Sequence, residues 1–262
     1  MEVQIKKTIK AGNSSAVVLP RSWLNKEVRV ELIKKTPELI LSNVIDIAKN
    51  HIKIEDIIGI YLTGSYARGE EDKDSDIDVL IITDNIDREI INEGIYSILI
   101  ISSELLQQKL SKDLFPVGAM LKEAKPLLNA HYLDGLNLKV TRNNVLWYLD
   151  TTKDKLAIIK KVIYTMKGNN QKYVNDKVIY TLVLRIRTMY IIRRLMENKN
   201  YSKKEFIKMI EKISKGTNAY EGYLRVKNNL KEKKGTSIEE TERLYKYLEN
   251  QLSEVQKSLR NK

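Results

Sequence analysis

The feature that most constrains the fold is a pair of apolar runs that flank a glycine–serine pair and a cluster of acids. The sequence is IIGIYLT, GSYARGEEDKDSD and IDVLIIT, residues 57–83. Short apolar runs bounded by turn residues are typical of buried β-strands. Six carboxylates lie between Glu70 and Asp78. Carboxylates this close repel one another unless a cation lies among them, so the pattern predicts two strands joined by a cation-binding turn.

Asp76 and Asp78 are the two carboxylates that we expect to act together. Alternate residues of a strand project from one face, so these side chains lie side by side while Ile77 points into the core. Mg²⁺ or Mn²⁺ suits such a pair when phosphates and water complete its ligand shell. Gly64 lets the backbone approach a triphosphate, and Ser65 offers an N–H and a hydroxyl. An acidic surface loop or a structural calcium loop is the alternative, but neither needs the glycine–serine pair.

GSYARG followed by DSDID resembles the DNA polymerase β nucleotidyltransferase superfamily, in particular its minimal archaeal and bacterial members. The resemblance is close over residues 55–82 and looser over residues 36–130. It implies transfer of a nucleoside monophosphate from a nucleoside triphosphate, with ATP expected, to a hydroxyl in the presence of Mg²⁺ or Mn²⁺. It also implies that Asp76 and Asp78 are the catalytic metal ligands. The nucleotide-binding residues that it implies are Gly64, Ser65, Arg68 and Ser75, where Arg68 steadies the loop or contacts a phosphate.

One position departs from the family pattern. The family has a third carboxylate on the following strand, as base and metal ligand, and the alignment of YSILIIS puts Ser97 there. A serine can serve neither as that base nor as that ligand, and Glu93 could replace it only with a shifted register. Two functions therefore stay open. One is a transferase whose acceptor is a protein, an RNA end or a small molecule, and the other is a core that binds nucleotide without turnover.

Residues 1–35 follow a different pattern. Their sequence includes KAGNSSAVVLPRSWL, followed by KEVRVEL. The pattern predicts a strand on either side of the turn at Gly12-Asn13, and the second of these strands contains Val17–Leu19. It predicts one more strand at residues 28–32. This resembles the swapped-hairpin DNA-binding domain of AbrB/MazE-type regulators and antitoxins, which implies a homodimer, DNA contact and a possible protein toxin as partner. A dimerisation module whose lysines are merely solvated is the alternative. The candidate DNA-binding residues are Lys7, Lys10, Arg21 and Arg29.

Helical patterns dominate the remaining chain. Thr36-Pro37-Glu38 predicts the start of a helix that ends near Asn50, and residues 95–102 predict a third strand that leads into a helix near Glu104. Five later segments have apolar residues at helical spacing: 145–167, 174–198, 202–214, 217–230 and 237–260. They predict an antiparallel bundle that loosely resembles those of archaeal nucleotidyltransferases and kanamycin-type enzymes. The candidate phosphate contacts in this bundle are Arg185, Arg187, Tyr223 and Arg225.

Charge divides the chain into three segments. Residues 1–35 have 8 basic and 3 acidic residues, a net charge of +5; residues 36–140 have 10 and 18, a net −8; and residues 141–262 have 28 and 13, a net +15. We therefore predict a mixed α/β or α+β protein with three domains: a swapped hairpin (1–35), a nucleotidyltransferase core with a short mixed sheet (36–140) and a helical bundle (141–262).

Composition and segment length narrow the remaining function classes. The absence of cysteine excludes disulfides and cysteine-ligated zinc. No histidine follows residue 143, which argues against a fused HEPN-type ribonuclease. The chain has neither a leader pattern at its start nor an apolar run long enough for a membrane span, so we expect no membrane contact and a cytoplasmic location.

Overall fold

The computed structural model describes residues 4–6, 8–31, 35–72, 75–231 and 235–260, without the side chains of residues 88 and 89. The chain divides into two compact units. The first comprises Met1–Gln107 and Glu123–Asn137, and the second comprises Gln108–Lys122 and Leu138–Lys262. The predicted fold class is confirmed, because a strand hairpin, a mixed sheet and C-terminal helices follow one another along the chain. The three-domain division, with boundaries after residues 35 and 140, stays a prediction.

The N-terminal segment contains one short antiparallel hairpin, β1 (Ile9–Ala11) and β2 (Ser14–Ala16). Its turn contains Gly12 with φ of 61°, a conformation that glycine adopts without strain. The second strand thus precedes the predicted Val17–Leu19. The strand predicted at residues 28–32 is wrong for the described residues 28–31, which belong to no strand. Over the described ranges no other strand pairs with them, and a lone extended segment lacks hydrogen-bond partners.

The first helix, α1 (Pro37–Ala48), begins and ends as predicted. The hydroxyl oxygen of Thr36 accepts a hydrogen bond from the Leu39 N–H at 3.5 Å, and Pro37 occupies the first helical position. Its buried face consists of Ile40, Val44, Ile47 and Ala48. These side chains pack against one face of the central sheet and form the core of the first unit.

In the part of the chain that the structure describes, the central sheet has five strands, in the order β5 (Arg88–Glu93), β6 (Tyr96–Ser102), β4 (Ile77–Thr83), β3 (Ile57–Thr63) and β7 (Lys125–Leu128). Only β4 and β6 run parallel, so the sheet is mixed as predicted. The elements of this region are β3 (Ile57–Thr63), α2 (Gly64–Arg68), β4 (Ile77–Thr83), β5 (Arg88–Glu93), β6 (Tyr96–Ser102), α3 (Ser103–Lys112), α4 (Val117–Glu123), β7 (Lys125–Leu128) and α5 (Ala130–Asp134). The predicted strands β3, β4 and β6 are confirmed, whereas β5 and β7 were not predicted.

The alternation of side chains along β4 decides which face of the sheet carries charge. Val79 and Ile81 belong to the core that α1 covers, and both are fully buried. Asp78 lies between Ile77 and Val79 and therefore projects from the opposite face. The candidate site is thus separated from the α1 core by the thickness of the sheet.

The second unit is predominantly helical, as the sequence predicted. Its short strands β8 (Tyr173–Val174) and β9 (Thr236–Ser237) pair antiparallel. After α4, its elements are α6 (Arg142–Gly168), β8 (Tyr173–Val174), α7 (Asp176–Met196), α8 (Lys203–Ser214), α9 (Asn218–Lys227), β9 (Thr236–Ser237) and α10 (Ile238–Arg260). The five predicted helical segments are confirmed with boundaries that shift by a few residues.

Candidate active site

The turn that follows β3 brings the glycine–serine pair against the strand that carries Asp78. Gly64 has φ of 67°, in the left-handed region that favours glycine. A Cβ atom on Gly64 would lie 1.9 Å from the Asp78 Oδ2 atom and 2.7 Å from its Cγ atom. Any other residue would therefore displace the Asp78 carboxylate. The missing side chain is what allows the turn and this carboxylate to occupy adjacent positions.

Asp76 and Asp78 stand at the beginning of β4, as predicted. Asp78 is the second residue of the strand and pairs with Thr63 of β3, whose hydroxyl donates to the Asp78 carbonyl oxygen at 3.2 Å. Asp76 immediately precedes the strand and is exposed, while Asp78 is half-buried. Their separation by two residues in extended chain directs both side chains to the same face.

The donor set at this face is chemically suited to a hard divalent cation that also binds phosphate. Within the described ranges, no group of three or more His, Cys, Asp or Glu side chains could hold a metal ion. Two carboxylates from Asp76 and Asp78 supply too few ligands for a closed protein site. They fit Mg²⁺ or Mn²⁺ if water and phosphate oxygens complete the shell, which is the usual arrangement for Mg²⁺ with nucleotides.

Ser65 and Ser75, both predicted to bind nucleotide, have different surroundings. Ser65 is the second residue of α2 and is half-buried. Ser75 forms two hydrogen bonds with Asp72: its hydroxyl donates to the Asp72 Oδ1 atom and accepts from the Asp72 N–H, each at 2.9 Å. Ser75 therefore connects Asp72 to the residue that directly precedes Asp76. The nucleotide-binding roles of both serines stay predictions.

Arg68 lies in a network of carboxylates rather than beside open solvent. Its Nη1 atom donates to the Glu123 Oε2 atom at 2.5 Å, and its Nε atom donates to the Glu70 Oε2 atom at 3.1 Å. The side chains of Arg68 and Glu123 are 13% and 8% exposed. Burial lowers the pKa of Arg68, but Glu123 and Glu70 raise it by more. Both roles predicted for Arg68, steadying the loop and contacting a phosphate, stay predictions.

Glu123 is the residue of this region that sequence reasoning missed. Its Oε1 atom accepts a hydrogen bond from the Gly64 N–H at 2.8 Å, at the turn itself. Burial raises the pKa of Glu123, Asp78 raises it further, and Arg68 opposes the rise. The Arg68 guanidinium and the Gly64 N–H offset the cost of burying the negative charge of Glu123 at this position.

The register of β7 explains how Glu123 reaches the turn. β7 pairs antiparallel with β3, with Lys125 opposite Leu62 and Pro126 opposite Tyr61. Continuing this register by two residues puts Glu123 opposite Gly64. The only signal in the sequence is an acid directly before the short run KPLL, and nothing local predicts that this run pairs with β3.

The position beside Asp78 on the next strand is occupied by a serine. In the parallel pairing of β4 and β6, Asp78 lies opposite Ser97, the residue that the alignment put at the position of the third carboxylate. Glu93 pairs with Tyr96 at the end of β5, and it is Asn92 that pairs with Ser97. The register therefore puts no carboxylate at the β6 position where the family pattern has its third acid.

The four candidate DNA-binding residues lie in or near the hairpin segment. Lys7 lies outside the described residues. Lys10 is exposed on β1, and Arg21 is exposed in a single 3₁₀ turn that ends at Trp23. Arg29 is exposed and pairs with Glu31. Their contact with DNA stays a prediction.

The arginines of α7 are engaged with neighbouring side chains of the second unit. The Arg185 Nη1 atom donates to the Thr151 Oγ1 atom at 3.0 Å, and its guanidinium lies 5.8 Å from the Trp147 ring centre. The Arg187 guanidinium lies 5.2 Å from the Tyr201 ring centre. Both contacts are within cation–π range.

Tyr223 and Arg225 lie in the interior of the second unit. Tyr223 is 5% exposed. Arg225 forms a two-point ion pair with Asp176, with Nε–Oδ2 and Nη2–Oδ1 distances of 2.7 and 3.0 Å. The phosphate contacts predicted for the four bundle residues stay predictions, and the ion pair gives Arg225 a structural role.

Comparison with protein families supports the class of domain that this geometry indicates. Residues 41–127 match the family model described as a nucleotidyltransferase domain. The matched range contains the glycine–serine turn, both aspartates and Glu123. It supports the nucleotidyltransferase superfamily for this part of the chain and, with it, nucleotide binding and nucleoside monophosphate transfer as the general class of chemistry. The match does not extend to the hairpin segment. No curated protein sequence matches the chain.

Several solved structures resemble the chain at low identity. Spectinomycin adenyltransferase AAD(9) from Enterococcus faecialis, with ATP and spectinomycin, is 16% identical over 81% of this chain and 98% of its own, with a TM-score of 0.40. A nucleotidyltransferase-like protein from Exiguobacterium sibiricum is 12% identical over 82% and 75%, with a TM-score of 0.38. A toxin–antitoxin structure with AMP-PNP is 19% identical over 46% and 96%, with a TM-score of 0.25. Scores this low do not define a common overall arrangement.

No helix in the described ranges is both long enough and apolar enough to cross a bilayer.

Proposed function

We propose that the chain is a metal-dependent nucleotidyltransferase that transfers a nucleoside monophosphate from a nucleoside triphosphate, ATP in the first instance, to a hydroxyl acceptor. The acceptor belongs to a protein, an RNA end or a small molecule. The proposed site consists of Gly64 and Ser65 on the turn after β3 and of Asp76 and Asp78 at the start of β4. The match of residues 41–127 to a nucleotidyltransferase domain supports this proposal.

The observation that carries the proposal is the proximity of Gly64 to Asp78. The turn has no side chain at the point where a Cβ would lie 1.9 Å from a carboxylate oxygen. A turn built only for stability would not need this close approach, because a half-buried carboxylate against the backbone carries a desolvation cost. Close approach of backbone and carboxylate is useful when a phosphate and its counter-ion must fit between them.

The proposed step is an in-line displacement at the α-phosphorus. The oxygen of the acceptor hydroxyl forms a bond to that phosphorus, the bond to the bridging oxygen breaks, and pyrophosphate leaves. The Ser65 hydroxyl and N–H hold the triphosphate in position. Because Ser97 lies beside Asp78 in place of a third carboxylate, the acceptor proton passes to water. This predicts slow turnover.

Asp76 and Asp78 would hold the divalent cation through one face of β4. A cation bound there supplies positive charge against the negative charge of the phosphates. The protein supplies the two carboxylates at fixed spacing, since strand geometry keeps both on the same face.

The direct test uses the purified chain, Mg²⁺ or Mn²⁺, each α-³²P-labelled nucleoside triphosphate in turn, and a host lysate as a source of acceptors. We expect label transfer by the unmodified chain and none by the double variant Asp76→Asn, Asp78→Asn. Asp84→Asn is the matched control, because Asp84 follows the other end of β4 and is exposed. Transfer by the double variant, or nucleotide binding that does not depend on Asp76 and Asp78, contradicts the proposed site.

A second candidate is a DNA-binding homodimer, of regulator or antitoxin type, whose core binds nucleotide without turnover. Two observations favour it. Ser97 occupies the position where a third carboxylate would act as base. The hairpin segment also exposes apolar side chains that its own chain leaves uncovered: Ile9, Val18, Leu24, Val28 and Val30. Exposed apolar residues beside Lys10, Arg21 and Arg29 suit a dimer that lies on DNA.

This second candidate is tested by the salt dependence of DNA binding by the full chain. Replacing Lys10, Arg21 and Arg29 with Gln removes three positive charges, and the slope of log affinity against log salt is expected to fall by about 2–3. The matched control replaces three exposed lysines elsewhere in the first unit, Lys49, Lys53 and Lys125, with Gln. A slope that changes equally in both variants contradicts DNA contact through the hairpin.

The oligomeric state is a separate part of this candidate. Light scattering of the full chain is expected to give the mass of a dimer, and Val18→Ser with Val30→Ser is expected to give a monomer, because both side chains are more than half exposed in one copy. A monomer in the unmodified chain contradicts the dimer.

A further inference from the structure

The carboxylate of Glu123 bridges the two ends of α2. Gly64 is the first residue of this five-residue helix and Arg68 is its last. One carboxylate oxygen accepts from the Gly64 N–H at 2.8 Å, and the other accepts from the Arg68 Nη1 atom at 2.5 Å. A single side chain therefore contacts both ends of the element that carries Ser65.

These contacts are stronger than surface hydrogen bonds of the same length. The side chains of Arg68, Glu70 and Glu123 are 13%, 10% and 8% exposed, so solvent screens their charges little. A guanidinium that binds two carboxylates in a buried network is held in a fixed orientation. By contrast, a helix of five residues has almost no stability of its own and needs such external contacts.

The Gly64 N–H is also unavailable for a phosphate while it donates to Glu123. The Gly64 N–H is therefore part of the scaffold, and Ser65 is left to contact the triphosphate. Gly64 contributes by lacking a side chain, as the distance to the Asp78 Oδ2 atom requires.

From this geometry we propose that Glu123 is a positioning residue, which together with Arg68 clamps α2 so that Ser65 stands at a fixed distance from Asp78. The inference rests on the proposed nucleotide site and adds to it a residue from outside the glycine–serine and aspartate motifs. Glu123 acts through α2 and does not contact the substrate or take part in proton transfer.

The first measurement reports on the clamp without any ligand. Hydrogen exchange of the amides in residues 64–69 is compared in the unmodified chain, Glu123→Gln and Glu55→Gln. Glu55 is the matched control, because it is an exposed glutamate of the first unit that pairs with Lys53 at the surface. We expect faster exchange in Glu123→Gln alone, because the neutral amide side chain has one acceptor oxygen where Glu123 uses two, one for Gly64 and one for Arg68. Unchanged exchange in residues 64–69 overturns the proposal.

The second measurement separates positioning from catalysis. For Glu123→Gln we expect the Kd for ATP with Mg²⁺, and the KM for ATP if transfer occurs, to rise about tenfold, while kcat changes less than about threefold. In Glu123→Gln, Ser65 is no longer held in place, and a Ser65 contact that binds the triphosphate equally in the ground and transition states is weakened, which has this signature. A fall in kcat at constant KM would make Glu123 catalytic and overturn the positioning role.

Two further variants keep the test informative if Glu123→Gln is poorly folded. Glu123→Asp retains the charge and is expected to recover part of the ATP affinity. Arg68→Ala removes the guanidinium that Glu123 binds. If the two residues act as one unit, the double variant Arg68→Ala, Glu123→Ala should weaken ATP binding no more than the more harmful of the two single alanine variants does. Additive losses would mean that the two residues act independently and would overturn the clamp.

The outcomes distinguish this inference from the proposed function. If the unmodified chain binds no nucleotide, the proposed function fails, while hydrogen exchange still decides whether Glu123 fixes α2. If nucleotide binds and is transferred but Glu123→Gln behaves as Glu55→Gln does, the proposed function stands and the clamp fails.

Discussion

The hairpin segment, residues 8–31, and the central strands β3 and β4 contain similar short apolar runs but have opposite environments. Five residues of β3 and six of β4 are buried, whereas all three residues of β1 and two of the three in β2 are exposed. The central strands lie between neighbouring strands and carry α1 on one face. The hairpin has no covering layer of its own in the described chain. An apolar run therefore predicts a strand, but burial requires a second layer.

Charge shows the same difference between the two regions. Arg29 and Glu31 of the hairpin segment pair at the surface, with side chains 85% and 67% exposed. Arg68 and Glu123 form a pair in which both partners are largely buried. Surface pairs contribute little to folding, whereas removing one partner of a buried pair leaves a charge without compensation. Only the second pair can hold a site in place.

The largest expected effect comes from a matched pair of isoleucine substitutions. Ile81→Ala, in the fully buried part of β4, is expected to lower the free energy of unfolding by about 2–5 kcal/mol, because it removes packed methyl groups and leaves a cavity. Ile9→Ala, at a side chain that is 51% exposed, is expected to cost less than about 0.5 kcal/mol. Urea unfolding measures both.

As a control, the urea unfolding of both variants is repeated at several protein concentrations. If the hairpin is covered by a second copy, the cost of Ile9→Ala will grow with protein concentration, because dimerisation adds to the stability of the folded state. A large cost of Ile9→Ala that does not depend on concentration would contradict the exposed environment of β1.

The next largest effect is expected from alanine substitutions at two glycines that have similar φ angles, 67° at Gly64 and 61° at Gly12. An alanine in this region costs about 1–2 kcal/mol at either site. Gly64→Ala is also expected to abolish nucleotide binding, because its Cβ would overlap the Asp78 carboxylate. Nothing lies within 4 Å of a Cβ at Gly12, so Gly12→Ala should leave binding unchanged. Equal nucleotide affinities for the two variants would contradict the close approach of Gly64 and Asp78.

A smaller effect concerns alkaline pH and distinguishes the central sheet from the hairpin segment, since residues 1–35 contain no tyrosine. The Tyr61 hydroxyl donates to the Asn129 carbonyl oxygen at 2.9 Å, and burial, followed by the proximity of Tyr132, raises the pKa of Tyr61 to about 12. The neutral phenol is thus favoured in the folded state. Its stabilising effect is complete below about pH 10, the pKa of an unfolded tyrosine, and is lost as the pH rises from there to about 12.

The check is the unfolding free energy from pH 8 to 11. Tyr61→Phe is expected to reduce the decline above pH 10, because the substituted side chain has no proton to release. Tyr164→Phe is the control, at a side chain that is 81% exposed. Identical pH dependences of the unmodified chain and Tyr61→Phe would contradict the raised pKa.

The smallest expected effect is that of Arg29→Ala. Removing this exposed partner of Glu31 should change the free energy of unfolding by less than about 0.5 kcal/mol, as is typical of surface ion pairs. Chemical denaturation at low and high salt measures it. A cost above 1 kcal/mol would mean that the hairpin segment is packed against something in solution.

The parts of the fold that could be predicted from the sequence are those with strong local patterns. β3, β4, α1 and the C-terminal helices have either continuous apolar runs or a helical period with capping residues, and all were predicted. The edge strands β5 and β7 were missed, because a strand paired on one side needs little apolar pattern. Lys125 and Pro126 of β7, for example, are exposed. The false strand at residues 28–31 shows the converse, a suitable pattern without a neighbour to pair with.

The candidate site also has one part that the sequence predicts and one part that it does not. The sequence by itself determined the pair Asp76 and Asp78, the glycine–serine turn and the serine at position 97, because the two-residue period of a strand decides which side chains share a face. Only the tertiary structure decided that Glu123 contacts Gly64 and Arg68. Its position depends on the register between β7 and β3, and strand pairing between distant segments is decided by packing across the whole sheet rather than by local sequence.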